Sequence, residues 1–388
     1  MRVCFDTFGC RLNTAEALQM EASFLARGWE VVENHKDADM IVVRGCSVTA
    51  RAQRDCEKLI EHIRMRYPNK RLVVTGCLKE KRNERWLADL APATPERTAR
   101  AYLKVQDGCA CNCTFCIVPQ FRGKPVSRDL DGVLDDAKRF IEAGYREIVV
   151  TGCNLSCYSS GGTSLAGLVS ALAALDRSCR IRLGSIEPMP CVKDVAMAMA
   201  ENENVCRFLH LAIQSGAPKV LSAMRRPYTI RDVNEIVALA LSKMPLLAIG
   251  CDLMTGFPGE TDLDYLSTKT LFSRIPISKA HIFPYSERPG TVAAMLPDAL
   301  PREIRKGRAR ELAAIADDNR SKFAKRFIGK TVEIVVEDDA TLGGWTGEYL
   351  WCTAQNANAI RGKSRRKELV RMVVTKTKGH QLFGMEVR

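Results

Sequence analysis

No run in this chain reaches the ~18–20 consecutive apolar residues needed to span a bilayer, which excludes a membrane-spanning helix, and no membrane partner is expected. The start of an exported protein is also missing. Met1-Arg2-Val3-Cys4-Phe5-Asp6 leads straight into a strand-like segment instead of a charged-then-apolar leader, so the expected location is cytoplasmic. A disulfide framework is absent as well. The 16 cysteines among 388 residues do not have the spacing of a small stapled domain, which favours metal binding in a reducing compartment. Negative charge is in deficit, with 45 Asp and Glu against 58 Lys and Arg; a net charge of +13 favours a polyanionic partner such as nucleic acid. The length suits two or three domains.

What is there is sulfur. Four cysteines crowd into Gly108-Cys109-Ala110-Cys111-Asn112-Cys113-Thr114-Phe115-Cys116. Only Cys109, Cys113 and Cys116 have a three-residue gap followed by a two-residue gap. Soft thiolates at this density suit an iron–sulfur cluster. Three ligands for a four-iron cube leave one iron open to a small chelating molecule. A zinc knuckle or a group of structural thiols would use the same residue type.

Three further cysteines share a local pattern. Strand-like runs end in Gly9-Cys10, Gly45-Cys46 and Gly76-Cys77, with helical segments between them. Alternating strands and helices imply a doubly wound parallel sheet, whose strand ends share one edge. The three thiols can therefore converge into a second site, or they can be buried packing residues. Cys4 and Cys56 fit neither set and read as packing residues.

After a linker-like stretch, Ala91 to Arg100, six strands are expected at Ala101–Gln106, Glu147–Thr151, Arg180–Ile186, Arg207–Ile213, Ala248–Met254 and Lys279–Phe283. Helices between them, including one over Thr261–Ser273, make a partial (β/α)6 TIM-like barrel with its site at the strand C-termini. A basic helix follows from Pro301 to about Arg326. The remaining residues read as a small β-barrel, with strands at Thr331–Glu337, Tyr349–Cys352, Leu369–Val374 and Gln381–Glu386, and turns at Gly343-Gly344 and Lys378-Gly379. Arg361, Lys363, Arg365, Arg366, Lys367 and Arg371, with Trp345, Tyr349 and Trp351 nearby in sequence, suggest an RNA-binding surface.

The Cys109/Cys113/Cys116 spacing, with Phe115 before the last cysteine, resembles the radical S-adenosylmethionine (SAM) superfamily. Together with Gly-Cys at residues 10, 46 and 77, Leu209-His210-Leu211-Ala212-Ile213-Gln214-Ser215-Gly216 and Gly256-Phe257-Pro258-Gly259-Glu260-Thr261, the chain resembles the methylthiotransferases of that superfamily. The segments from Arg97 to Cys109 and from His281 to Thr291 are most similar to the branch acting on N6-threonylcarbamoyladenosine at tRNA position 37. The resemblance implies three domains: residues 1–90 around an auxiliary cluster, 97–326 as the radical SAM barrel, and 327–388 as a TRAM-type RNA-binding barrel. It implies two [4Fe–4S] clusters, one on Cys109, Cys113 and Cys116 and one on Cys10, Cys46 and Cys77. One SAM would methylate sulfur on the auxiliary cluster; a second would be cleaved to a radical that abstracts hydrogen from C2 of the adenine, to which the methylthio group would then transfer. The implied partners are a tRNA anticodon stem-loop, an electron donor of flavodoxin or ferredoxin type, and a sulfur source. Strand-end placement puts Phe115, Thr151, Gly152, Ser185, Glu187 and Gln214 around SAM. Two departures stand out: Arg44-Gly45-Cys46 replaces the family's usual Asn-Thr-Cys, and Ala110-Cys111-Asn112 fills the triad loop unusually.

The nearest rivals keep the chemistry and change the substrate, to isopentenyladenosine in tRNA or an aspartate of a ribosomal protein. An iron–sulfur electron carrier or a zinc-containing RNA-binding protein would lack catalysis.

Overall fold

The structure is a computed structural model and describes residues 1–78, 98–355 and 364–387. Its first unit is a parallel sheet of β1 (Arg2–Thr7), β2 (Glu30–Val31), β3 (Met40–Gly45) and β4 (Arg71–Gly76), ordered β2-β1-β3-β4. Helices α1 (Arg11–Ala26) and α2 (Ala50–Arg66) cover its two faces. The alternation of β3 sorts its residues between them. Met40 and Val42 pack with Met20 and Phe24 of α1, whereas Ile41 and Val43 pack with Cys56, Ile60 and Ile63 of α2. Burying each large apolar side chain contributes about 1.5–3 kcal/mol. Thr49 starts α2 by accepting from Ala52 N at 3.1 Å. Cys4 and Cys56 lie in the core, as expected of packing residues. Of the linker-like stretch, residues 91–97 lie outside the described residues, while Ala99 and Arg100 are buried.

The second unit contains β5 (Ala101–Asp107), the short antiparallel β6 (Val126–Ser127), β7 (Glu147–Gly152), a small hairpin of β8 (Ser159–Ser160) and β9 (Thr163–Ser164), β10 (Arg180–Leu183), β11 (Ser185–Ile186), β12 (Phe208–Gln214), β13 (Ala248–Thr255) and β14 (Ile277–Pro284). Helices α3 (Val118–Arg122), α4 (Leu130–Glu142), α5 (Leu165–Leu175), α6 (Val192–Glu201), α7 (Pro218–Ala223), α8 (Ile230–Lys243), α9 (Asp262–Lys269) and α10 (Leu271–Arg274) connect them. Two sheets, β10-β7-β5-β6 and β11-β12-β13-β14, form a partial barrel of parallel strands. The single strand expected over Arg180–Ile186 is split at Gly184. Gly184 N still bonds Val150 O at 2.9 Å, but Ser185 and Ile186 pair with His210 and Leu211, so the chain changes sheet there. The helix expected over Thr261–Ser273 is also two pieces, broken at Thr270.

Outward residues such as Leu103, Ile148, Leu209, Leu211 and Ile249 pack under the helices in one large core. The alternate residues, including Gln106, Glu147, Arg182, His210, Gln214 and Asp252, are polar. The strands thus turn an apolar face to the helices and a partly polar face inward.

Helix α11 (Arg302–Lys325) runs along β14. Part of its basic face turns inward: Arg305 bonds Tyr285 O at 2.9 Å, Arg308 pairs with Glu260 at 2.5 Å, and Arg320 bonds Tyr349 O at 3.3 Å. The last unit is a closed barrel of β15 (Thr331–Asp338), β16 (Gly343–Thr346), β17 (Trp351–Ala354), β18 (Leu369–Lys378) and β19 (Gln381–Glu386), ordered β15-β16-β17-β19-β18. Gly343-Gly344, expected as a turn, is part of β16, where the two residues pair with Thr353 and Cys352. The strand expected from Tyr349 starts at Trp351, because Tyr349 ends a tight turn with φ +64°.

This barrel is bolted to the base of the partial barrel. Glu147, fully buried, takes Arg180 at 2.5 Å and Arg182 at 2.7 Å, and those guanidiniums reach on to the carbonyls of Glu333, Trp345, Thr346 and Gly347. Trp345 and Tyr349, expected on an RNA face, instead point at this junction. Their rings stack 4.7 Å apart, and Tyr349 stacks on Phe208 at 4.9 Å. Within the expected basic patch, Arg361 and Lys363 lie outside the described residues, Arg365 pairs with Glu368 and Glu386, and Lys367 lies 3.9 Å over the Tyr145 ring.

Candidate active site

The Gly-Cys dipeptides meet at one sheet edge. Gly9 has φ +105°, and a Cβ there would lie 2.8 Å from Cys46 Cβ and 2.9 Å from its sulfur. Gly76 has φ +91°, and a Cβ would lie 2.6 Å from Gly45 O. Only glycine lets these strand ends close up. Cys10, Cys46 and Cys77 consequently sit within electrostatic reach of one another. Burial raises the pKa of Cys46 and Cys77 and outweighs nearby Arg122.

The second triad lies on the loop after β5. Asn112 at φ +47° folds the loop back, bringing Cys109, Cys113 and Cys116 into mutual electrostatic contact. Burial pushes the Cys116 thiol up to about 11. Cys109 is raised well above its ordinary range, first by the Cys111 thiol and then by burial. Asn154, after β7, shares Nδ2 between Cys111 Sγ at 3.1 Å and Cys109 Sγ at 3.6 Å. Desolvated thiols become thiolates only beside positive charge, and a bound metal deprotonates them outright. Two clustered triads of this kind fit iron–sulfur ligation.

Each triad also faces a guanidinium that sequence reading missed. Arg226 donates to Cys113 Sγ at 2.9 Å and is paired with Glu187. Arg122, at the end of α3, donates through Nε to Cys77 Sγ at 3.2 Å, although it follows the other triad in sequence. Its remaining donors reach Asn13 Oδ1 at 2.9 Å, Glu16 at 3.0 Å and Asp107 at 3.0 Å. Glu16 also takes Lys104 at 2.5 Å and pairs with Arg44. Burial alone would raise the pKa of Glu16, but Arg44, Arg122 and Lys104 hold it well below the usual carboxylate range. Arg44, an apparent oddity before Cys46, is thus the buried anchor of this network.

The residues expected around SAM are only partly gathered. Thr151 is buried at the end of β7, and Gly152 packs against Leu155 and Gln106. Gln214 sits at φ +66° with its buried Oε1 unpartnered, as is Asn154 Oδ1. Orphaned acceptors at two strand ends, one of them on a residue bonded to the triad loop, suit a ligand that brings donors. Phe115 packs in an apolar group with Met224 and Phe257. Glu187 is engaged by Arg226, and Ser185 Oγ turns into the barrel to Asp252 at 3.0 Å. Asp252 also receives His210 at 3.0 Å and His281 at 3.1 Å.

Partial-barrel geometry with a cysteine triad at its mouth defines a radical SAM fold, and residues 103–271 match the family described as Radical SAM superfamily. Residues 2–94 match one described as Uncharacterized protein family UPF0004. The fold is shared with the radical SAM methyltransferase TsrM from Kitasatospora setae, at TM-score 0.54 and 14% identity over 76% of this chain and 77% of that one. Over 388 aligned residues the chain is 31% identical to the threonylcarbamoyladenosine tRNA methylthiotransferase MtaB of Aquifex aeolicus, covering 88% of this chain and 94% of the relative. A tRNA-2-methylthio-N(6)-dimethylallyladenosine synthase from Methylacidiphilum infernorum is 28% identical over 98% of this chain and 94% of its own. The chain belongs to the radical SAM tRNA methylthiotransferase family, whose members use [4Fe–4S] clusters and SAM. Among the described residues no helix is long and apolar enough to cross a membrane.

Proposed function

We propose that the chain converts N6-threonylcarbamoyladenosine at position 37 of tRNA to its 2-methylthio derivative. The observation that carries this reading is Arg122, which bonds a sulfur of one triad from a helix that begins two residues after the other. Sulfur donor and radical source would then face a single substrate space. Cys109, Cys113 and Cys116 would hold one cluster and Cys10, Cys46 and Cys77 the other; with SAM they would supply the adenosyl radical and the methylated sulfur.

The protein's own part is positional. Arg226 and Arg122 offset part of the burial that keeps the Cys113 and Cys77 thiols protonated, which leaves less for a bound metal to overcome. Gln214 Oε1 and Asn154 Oδ1 are free to accept from the SAM ammonium or adenine amine, with Phe115, Thr151 and Gly152 shaping the wall. Glu187 serves by fixing Arg226, and Ser185 by fixing Asp252. Domain limits of 1–90, 97–326 and 327–388 suit this division of labour. The target base must leave the anticodon-loop stack to reach the barrel, which requires contacts to neighbouring phosphates and bases. A tRNA substrate places the reaction in the cytoplasm, with a flavodoxin- or ferredoxin-type donor and a separate sulfur source.

A second reading, the same chemistry on isopentenyladenosine, is favoured by the similarity to the Methylacidiphilum infernorum relative. Anaerobically reconstituted protein, SAM and reductant, given stem-loops carrying either nucleoside, test both. Methylthio product on the threonylcarbamoyl RNA supports the first; product on the isopentenyl RNA alone replaces it with the second.

A further inference from the structure

The barrel interior has two ends. The thiols ring its mouth, and Tyr349 of the C-terminal barrel closes its floor. Around that ring stand cations from four other elements. Lys279 Nζ of β14 lies 3.6 Å from the ring centroid. The Arg11 guanidinium of α1 lies 5.1 Å from the centroid and donates to the Tyr349 hydroxyl at 2.8 Å. Arg182 of β10 lies 4.9 Å from the centroid, and Arg320 of α11 donates to the Tyr349 carbonyl. Arg182 is neutralised by Glu147, as is Arg100 by Glu147 and Glu337. Arg11, Lys279 and Arg320 pair with no carboxylate among the described residues. Asp317, one helical turn from Arg320, is taken by His380 at 3.1 Å, and Arg320 Nε is buried without a partner.

Unneutralised charge on partly buried side chains is costly, and a fold keeps it where an anion completes it. Arg11 directly follows Cys10, so the cluster lies within an arginine's reach of the sulfur-donating side. In N6-threonylcarbamoyladenine the carboxylate ends a short polar arm that folds along the edge bearing N1, the neighbour of C2. A base with C2 at the mouth would send that arm inward. Along the strands, Lys279 is level with His210 and Gly250, about 13 Å below the mouth at Gln214. The isopentenyl arm has no charge and would leave these cations unsatisfied.

We infer that Lys279, Arg11 and Arg320, gathered on Tyr349, form the pocket for the threonylcarbamoyl carboxylate, so that the C-terminal barrel supplies part of the specificity floor inside the catalytic barrel. This rests on the substrate reading above. The test uses the full, cluster-loaded chain and three stem-loop RNAs that differ only at nucleotide 37: threonylcarbamoyladenosine, isopentenyladenosine and plain adenosine. Wild type binds the threonylcarbamoyl RNA most tightly. Lys279→Met weakens that binding about 30-fold, the loss of one charge-assisted hydrogen bond, and moves the plain RNA less than threefold. Lys279→Arg keeps most of the preference, which controls for folding. Equal weakening of all three RNAs by Lys279→Met would mean a phosphate contact and overturn the pocket. A preference that survives Lys279→Met overturns it too, leaving the substrate reading intact. A wild type without preference overturns the substrate reading itself.

Discussion

Arg122→Met tests the joint between the two triads. The side chain is 8% exposed and its guanidinium meets Cys77, Asn13, Glu16 and Asp107. Removing one partner of a buried ion pair costs about 3–5 kcal/mol. Glu16 keeps Arg44 and Lys104, and Asp107 keeps Lys104, so the low end applies. About 3 kcal/mol corresponds to a roughly hundredfold rise in the population with α1 lifted from the barrel. Native-state hydrogen exchange reads that opening at the amides of α1, and iron per chain reads the sites. The expected result is faster exchange in α1 and loss of the iron proposed for Cys10, Cys46 and Cys77, with that proposed for the other triad retained. Arg122→Lys restores one charge but not the fork, and falls between. Exchange in α1 within threefold of wild type would refute the reasoning, because the joint would then not depend on this guanidinium.

Gly9→Ala forces a Cβ into Cys46 at a positive φ; half or less of the auxiliary iron should bind, as measured by iron content, while SAM cleavage persists. Truncation after Phe327 should not leave a sound barrel, because Arg180 and Arg182 lose the carbonyls of Glu333, Trp345, Thr346 and Gly347; a thermal midpoint within 2 °C of the full chain, a shift of roughly 1 kcal/mol or less, would count against that coupling. The depressed pKa of Glu16 and Glu147 makes stability complete above the unfolded carboxylate range and lost as pH falls through about 4 and below; a denaturation midpoint flat from pH 6 to 3 would contradict this. Lys279, lowered to about 7 by burial and by Arg320, Arg11, Arg182 and Arg100, should lose its charge above neutrality, so binding of the threonylcarbamoyl RNA weakens between pH 7 and 9 more than binding of the plain RNA.

Much of this was legible before the structure. Cysteine spacing marked one triad, and Gly-Cys at three strand ends marked the other, because backbone crowding at a sheet edge demands glycine. What stayed hidden was long-range pairing. Arg122 and Arg226 look like ordinary basic residues, and Arg44 like a bare departure from the family pattern, until folding buries them against sulfur and carboxylate. The polar interior did leave a trace: in Arg180-Ile181-Arg182-Leu183 apolar residues alternate with polar ones, and His210 and Gln214 interrupt the otherwise apolar Phe208–Gln214, which no parallel strand buried on both faces would require. Tyr349 beside basic residues read as an RNA surface, since sequence proximity cannot tell an exposed ring from one driven into a neighbouring barrel.

The most direct test of the central claim is nucleoside mass spectrometry of tRNA from cells with and without this protein. The account predicts that 2-methylthio-N6-threonylcarbamoyladenosine disappears and N6-threonylcarbamoyladenosine accumulates in its place. Unchanged amounts of both, with protein and clusters present in the parent cells, would contradict it.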